Sequence, residues 1–206
     1  MITIINYGMG NLGSVQNMFK KIGVESKITS NILDIKNATK LLLPGVGAFD
    51  EAMKNLKNLG LIEIIKHKVM IDKTPILGIC LGMQLLTKGS EEGSLLGFDF
   101  IDALAIKFDF SKTNDKLPIP HMGWNKVKIS KDSPLFLNCT HENRRFYFVH
   151  TYAVDCQNEE DILAFTNYGK PFVSVFEKDN IIGCQFHPEK SHKFGMQILS
   201  NFAREY

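Results

Sequence analysis

Cys80 stands between two glycines in Gly78-Ile79-Cys80-Leu81-Gly82-Met83-Gln84, directly after the apolar run Thr74-Pro75-Ile76-Leu77. The thiolate, not the thiol, is the nucleophile, so a cysteine does chemistry only where its surroundings favour ionisation. The apolar run predicts a short buried strand, and Leu81 to Thr87 the opening of a helix. The cysteine then sits on a sharp strand-to-helix turn, where a strained nucleophile is held out over the end of a sheet. Glycines two before and two after leave room for that turn, since a Cβ at either would crowd the neighbouring backbone. A helix N-terminus beneath the sulfur favours its charged form. A structural buried cysteine is the usual fate of free Cys; the flanking G-x-C-x-G pattern is what argues against it.

A cysteine nucleophile needs a base or imidazolium beside it and a third group to orient the imidazole. Of the six histidines, His187 stands out because Gln185-Phe186-His187-Pro188-Glu189 follows an apolar strand and precedes the last helical stretch. Pro188 biases His187 toward extended backbone, and in extended backbone residues two apart share a face. Glu189 can then accept a hydrogen bond from one ring nitrogen while the other faces Cys80. A surface His-Pro turn, with Glu189 complementing the dipole of the following helix, satisfies the same segment equally well. The reaction also needs backbone N–H groups aimed where negative charge develops. Leu81 at the helix start supplies one, and Val46 or Gly47 in Pro44-Gly45-Val46-Gly47 a second. As a phosphate loop this segment is poor, because no Lys-Ser/Thr follows at the required offset. On its own it also reads as a plain glycine-rich loop; the three segments together carry more than any one.

The elements that must position these residues change character along the chain. The first half alternates strands and helices. Ile2 to Tyr7, Val24 to Thr29 and Lys40 to Leu43 read as strands, Leu12 to Phe19 as a helix, and Ala48 to Ile71 as two amphipathic helical stretches. That alternation implies a mostly parallel sheet covered on both faces, with its active site outside the carboxyl ends of the strands. Both glycine-rich turns fall at those ends. From about Ala103 to Gln185 strand-like runs dominate: Ala103 to Phe108, Trp124 to Ile129, Arg145 to Tyr152, Ile162 to Thr166, Pro171 to Glu177 and Ile181 to Phe186. Tyr168-Gly169-Lys170 and Lys178-Asp179-Asn180 read as tight antiparallel turns. Ser191 to Glu205 closes the chain as an amphipathic helix. The expected fold class is α/β, a mostly parallel central sheet with helices on both faces plus an antiparallel extension in the second half, as one domain over 1–206.

Composition is that of a globular protein, 44% hydrophobic and 22% charged over 206 residues. A net charge of +2 argues against a dedicated nucleic-acid binder. The short basic clusters, Lys126/Lys128/Lys131 and Arg144/Arg145, suit a solvated face or the rim of an interface. Four cysteines without a C-x-x-C pair match neither a zinc site nor a disulfide framework. The N-terminus has no basic leader followed by an apolar core, and no apolar run approaches the roughly 18 residues that span a bilayer. A reduced, cytoplasmic, soluble protein is expected, without nucleic-acid or membrane partners.

Pro-Gly-Val-Gly, then Gly-Ile-Cys-Leu-Gly-Met-Gln, then Phe-His-Pro-Glu-Lys-Ser, in that order, resembles the class I (triad-type) glutamine amidotransferases. The likeness is closest to the glutaminase subunits of imidazole glycerol phosphate synthase in histidine biosynthesis. It is carried by Ile5-Asn6-Tyr7-Gly8-Met9-Gly10-Asn11-Leu12, Pro120-His121-Met122-Gly123-Trp124-Asn125 and Tyr147-Phe148-Val149-His150-Thr151-Tyr152, and it runs from residue 1 to the last helix. The resemblance implies Cys80 as nucleophile, His187 as acid and base, and Glu189 as the residue orienting it. It further implies Gly45, Gln84 and Glu92 as glutamine contacts and the Val46 and Leu81 N–H groups at the oxyanion. Pro120, His121, Met122, Gly123, Trp124, Tyr147 and Lys190 would lie near a partner and the ammonia exit. The partner implied is a separate (βα)8-barrel cyclase, bound as a heterodimer. No metal and no cofactor is implied. Two other readings remain open from sequence: a paralogous amidotransferase feeding ammonia to another synthase, for instance one amidating a sugar, and a non-catalytic regulatory subunit. The second would have lost a triad member, and none is missing.

Overall fold

The computed structural model describes residues 1–111, 117–139 and 144–206. Its first half runs β1 (Ile2–Ile5), α1 (Leu12–Lys21), β2 (Ser26–Thr29), α2 (Ile32–Lys36), β3 (Leu41–Gly45), α3 (Phe49–Asn58), α4 (Leu61–Lys66), β4 (Ile76–Cys80) and α5 (Leu81–Leu85). Then follow β5 (Thr87–Ser90), β6 (Ile101–Lys107), β7 (His121–Lys126), β8 (Lys128–Ile129), β9 (Arg145–His150) and β10 (Tyr152–Cys156). The chain ends with β11 (Ile162–Tyr168), β12 (Lys170–Lys178), β13 (Ile181–Cys184) and α6 (His192–Glu205). One sheet has the order β2-β1-β3-β4-β13-β12-β10-β6-β5, with β11 and β8 branching from β12; β7 and β9 form a separate antiparallel ribbon. Among the described residues no helix is long and apolar enough to cross a membrane.

β1, β3 and β4 are buried along their whole length, as strands of a sheet covered on both faces must be. Alternation sorts their side chains. Leu41, Leu43 and Ile76 pack with Phe49, Met53 and Leu56 of α3 and Leu61 and Ile65 of α4. Leu42, Leu77 and Ile79 pack on the opposite face with Val15, Met18 and Phe19 of α1 and Ile198, Leu199 and Phe202 of α6. This two-sided core fixes the carboxyl ends of β3 and β4 side by side, with Gly45 paired to Cys80.

The parallel and antiparallel halves are joined by β13. It pairs in parallel with β4 and antiparallel with β12, so the last strand of the chain lies beside the cysteine strand. Several boundaries differ from the sequence expectation. The helix after Cys80 ends at Leu85 rather than reaching Thr87, because Thr87 turns its hydroxyl onto the Gln84 and Gly89 carbonyls (2.7 and 3.0 Å) and opens β5. The run expected over Trp124 to Ile129 is divided into β7 and β8, and the Arg145 to Tyr152 run stops at His150, with Tyr152 beginning β10. α2 and β5 are too short to leave a periodic signal.

Candidate active site

Cys80 ends β4 with φ 54° and ψ −110°, a conformation that costs a non-glycine residue about 1–3 kcal/mol and is held by its surroundings. The surroundings are unusually tight. A Cβ on Gly82 would lie 1.7 Å from the Leu43 carbonyl oxygen of β3, and one on Gly78 would lie 2.6 Å from the Gly82 carbonyl oxygen. The flanking glycines therefore let the turn drop onto the neighbouring strand, which fixes where the sulfur points. Cys80 is 6% exposed, at the wall of a cleft of about 300 Å³.

His187 and Glu189 reach the same cysteine from the end of β13. His187 Nδ1 lies 2.7 Å from Glu189 Oε1, and both side chains are almost fully buried. Among the described residues Nε2 has no hydrogen-bond partner of ordinary geometry; Cys80 acts on it through a weaker contact. Burial pulls the affinity of His187 for a proton down, but Cys80 and Glu189 together overcome this and push its pKa up to about 10. The ring is thus an imidazolium at neutral pH, with its charge beside the sulfur. Such a pair can hold a thiolate and later return a proton to a leaving amine. The loop carrying it is pinned: the His187 N–H donates to the Tyr147 carbonyl (2.9 Å), and Ser191 Oγ donates to the His187 carbonyl (2.6 Å) while accepting from the Tyr147 N–H (3.0 Å).

The structure brings most of the remaining sequence candidates to one place. Val46, Leu81, Gln84, Glu92 and Pro120 line the cleft with Cys80. Leu81 opens α5 directly after the cysteine. Gly45 lies one layer behind, where a Cβ would meet the Tyr7 hydroxyl at 2.2 Å. That hydroxyl donates to the Pro44 carbonyl (2.8 Å), and burial together with the nearby Cys80 raises its pKa well above the ordinary phenol value. Glu92 also has a structural role, because its Oε2 accepts the Phe49 N–H (2.9 Å) at the start of α3, where Ala48 offers no side-chain cap.

The candidates for a partner face divide into two groups. Met122 (63% exposed) and Trp124 (45%) stand on the outside of the β7–β9 ribbon, where Gly123, at φ 131°, lies between them. Trp124 is paired with Tyr147 and stacks on His192 at 5.3 Å, and Lys190 lies over the Tyr147 ring. His121 instead points inward, 3% exposed, between the rings of Phe148 and Tyr168. Its Nδ1 lies 3.0 Å from His150 Nε2, and His150 Nδ1 lies 2.8 Å from the Tyr152 carbonyl oxygen. A carbonyl accepts only, so His150 carries its hydrogen on Nδ1 and His121 donates to it. Burial lowers the pKa of His121 to about 4, and burial, aided by the neighbouring His121 and His187, lowers that of His150 to about 3. Tyr7, His150, Gln185 and His192 belong to this neighbourhood although sequence reasoning gave none of them a role; all but His192 lie inside the motifs that carry the family resemblance or the histidine segment.

A cysteine on a strained turn, an imidazolium beside it and a carboxylate behind form an arrangement that can carry acyl transfer at the end of an open α/β sheet. The model of the class-I glutamine amidotransferases matches residues 3–206. The "Imidazole glycerol phosphate synthase subunit HisH 2" of Methanococcus maripaludis is 56% identical over 100% of both chains. The protein of the same name from Pseudomonas aeruginosa is 46% identical over 98% of both. Among solved structures, a chain of PurLQS from Thermotoga maritima superposes with a TM-score of 0.72 at 14% identity, over 98% of this chain and 96% of that one. The glutaminase domain of CTPS from Trypanosoma brucei gives 0.66 at 17%, over 98% and 93%. These two share the fold. The chain belongs to the class-I glutamine amidotransferase family, and within it to the HisH subunits of imidazole glycerol phosphate synthase.

Proposed function

We propose that the chain is the glutaminase subunit of an imidazole glycerol phosphate synthase in histidine biosynthesis, and that Cys80, His187 and Glu189 carry its reaction. The Cys80 thiolate attacks the side-chain amide carbon of glutamine, and the carbonyl π electrons move to oxygen. The Leu81 and Val46 N–H groups stabilise that oxyanion. The carbon–nitrogen bond breaks as His187 gives its proton to the departing amine, releasing ammonia and leaving a thioester. Water then attacks the thioester, giving a proton to His187; the carbon–sulfur bond breaks, and glutamate and the thiolate are restored. Glu189 holds the imidazole and balances its charge. Gln84 and Glu92 fit the amino-acid substrate along the cleft, with Gly45 behind them, and no step calls for a metal.

Ammonia released into water is lost to the synthesis, so we place the recipient, a (βα)8-barrel cyclase, as the heterodimeric partner. It would use the ammonia to form imidazole glycerol phosphate and an aminoimidazole carboxamide ribotide. The exposed Met122–Trp124 ribbon with Tyr147 and Lys190 is the proposed partner and ammonia-exit face, with Pro120, His121 and Gly123 behind it. We place the protein in the cytoplasm and read residues 1–206 as one amidotransferase domain. The observation that carries the reading is the His187–Glu189 pair set against a cysteine held in a strained turn. Its test is glutamate release with and without the barrel cyclase and its ribulosyl substrate: strong stimulation is expected, and loss of all release in Cys80→Ala. Absence of a complex and of stimulation would point to a different synthase as recipient.

A further inference from the structure

Gln185 is completely buried and hydrogen-bonded at both ends of its side chain, yet the mechanism above gives it nothing to do. It follows β13, whose register pairs Cys184 with Ile79 of β4, so Gln185 lies level with Cys80. Its backbone N–H donates to the Ser174 carbonyl (2.9 Å), continuing the pairing with β12. Gln185 and His187 are two residues apart in extended backbone, so they share the face that looks at the cysteine. Gln185 Nε2 lies 3.7 Å from Cys80 Sγ, within the longer reach of a hydrogen bond to sulfur.

Which end of this amide faces the sulfur follows from its neighbours. The Tyr152 carbonyl oxygen can only accept. Gln84 Nε2 lies 3.1 Å from it, so the nitrogen end of Gln84 is directed there. The second hydrogen of that nitrogen goes to Gln185 Oε1, also at 3.1 Å. Turning the Gln185 amide over would set two NH2 groups against each other and point a carbonyl oxygen at the sulfur. Both ends of the chain therefore select the orientation in which Gln185 presents N–H to Cys80. The Val149 carbonyl also lies on the sulfur, at 3.9 Å. It accepts from the thiol but repels a thiolate.

We propose that Gln185 is a further catalytic residue, whose amide N–H donates to the Cys80 sulfur and stabilises its ionised, correctly aimed form. The donor acts when the sulfur is negative, before attack and again when the thioester breaks. It complements the charge of His187 with a fixed dipole that moves no proton. The proposal rests on Cys80 being the nucleophile.

The test follows alkylation of Cys80 by iodoacetamide across pH in the full-length chain, with the modified residue located by peptide mass, beside glutaminase kinetics with the cyclase present. Gln185→Leu removes the donor, and Gln185→Glu keeps the shape but sets an acceptor against the sulfur. In both, the pH midpoint of Cys80 alkylation should rise by about one unit, which slows alkylation about tenfold at pH values below the midpoint, with the larger rise in Gln185→Glu. Turnover should fall at least as much, with the KM for glutamine nearly unchanged. Wild-type alkylation midpoints in a folded Gln185→Glu protein would overturn the proposal, even if Gln185→Leu fails to fold. Glutamate release surviving in Cys80→Ala would instead overturn the underlying reading of the nucleophile.

Discussion

Two pairs of buried side chains, both built around histidine, lie on neighbouring walls of this molecule and carry opposite charge states. His187 is held as an imidazolium, its pKa up at about 10. His121 and His150 are held neutral, at about 4 and about 3. Burial acts against the charged form in all three. The difference is the partner: His187 has a buried carboxylate 2.7 Å away and a sulfur on its other side, whereas His121 has another imidazole and two aromatic faces. A buried histidine is thus a base or a fixed hydrogen-bond relay according to what is buried with it. The neutral pair is as directional as the charged one, since the Tyr152 carbonyl sets both tautomers and also receives Gln84, which donates in turn to Cys80's neighbour Gln185.

The comparison is broken most directly by removing the carboxylate. Glu189→Gln should lower glutaminase turnover roughly 10²–10⁴-fold, as loss of the orienting acid does in triads of this kind. In the double variant Cys80→Ala with Glu189→Gln, burial alone remains, and the His187 ring should titrate below the ordinary histidine value when followed by NMR. A ring still protonated at neutral pH would remove the explanation given for the contrast.

Stability should respond to pH with opposite signs at the two pairs. The folded protein holds His121 and His150 neutral while the unfolded chain takes up protons near pH 6.5. Acid therefore favours unfolding, and the loss begins as pH falls through about 6.5 and continues toward about 3, on the order of several kcal/mol in all. For His187 the folded value lies above the unfolded one, so its contribution is complete below about pH 6.5 and fades as pH rises through about 10. Urea midpoints measured across pH check both arms. His121→Phe keeps the ring stack but removes one of the two protonation sites. The acid arm should become shallower, while the lost hydrogen bond to His150 costs about 1–3 kcal/mol at neutral pH. The smallest effect is expected outside both pairs. Trp124→Ala on the exposed ribbon should change the stability of the isolated chain, read from its urea midpoint, by less than about 1 kcal/mol, and weaken cyclase binding by much more.

Local chemistry made part of the site legible. G-x-C-x-G after an apolar run signals a turn that tolerates no Cβ, and the distances from Gly78 and Gly82 to neighbouring backbone give that signal its cause. The spacing of His187 and Glu189 around Pro188 likewise placed both on one face. Boundaries were harder: Thr87 competes for local carbonyls and ends α5 early, an effect that periodicity does not contain. Adjacency in sequence puts His121 with Met122 and Trp124, although alternation along β7 turns it inward.

Local sequence was enough to mark the cysteine turn, the His187–Glu189 segment as a candidate pair, the parallel first half and the family, because each depends on residues close together in the chain. The tertiary structure decided what lies between them. Pairing of β13 with β4 brings Gln185 and His187 to Cys80 from the far end of the chain, and the meeting of β7 with β9 buries His121 against His150. Protonation state and amide orientation depend on partners brought together by those pairings, and such contacts leave no trace in local spacing.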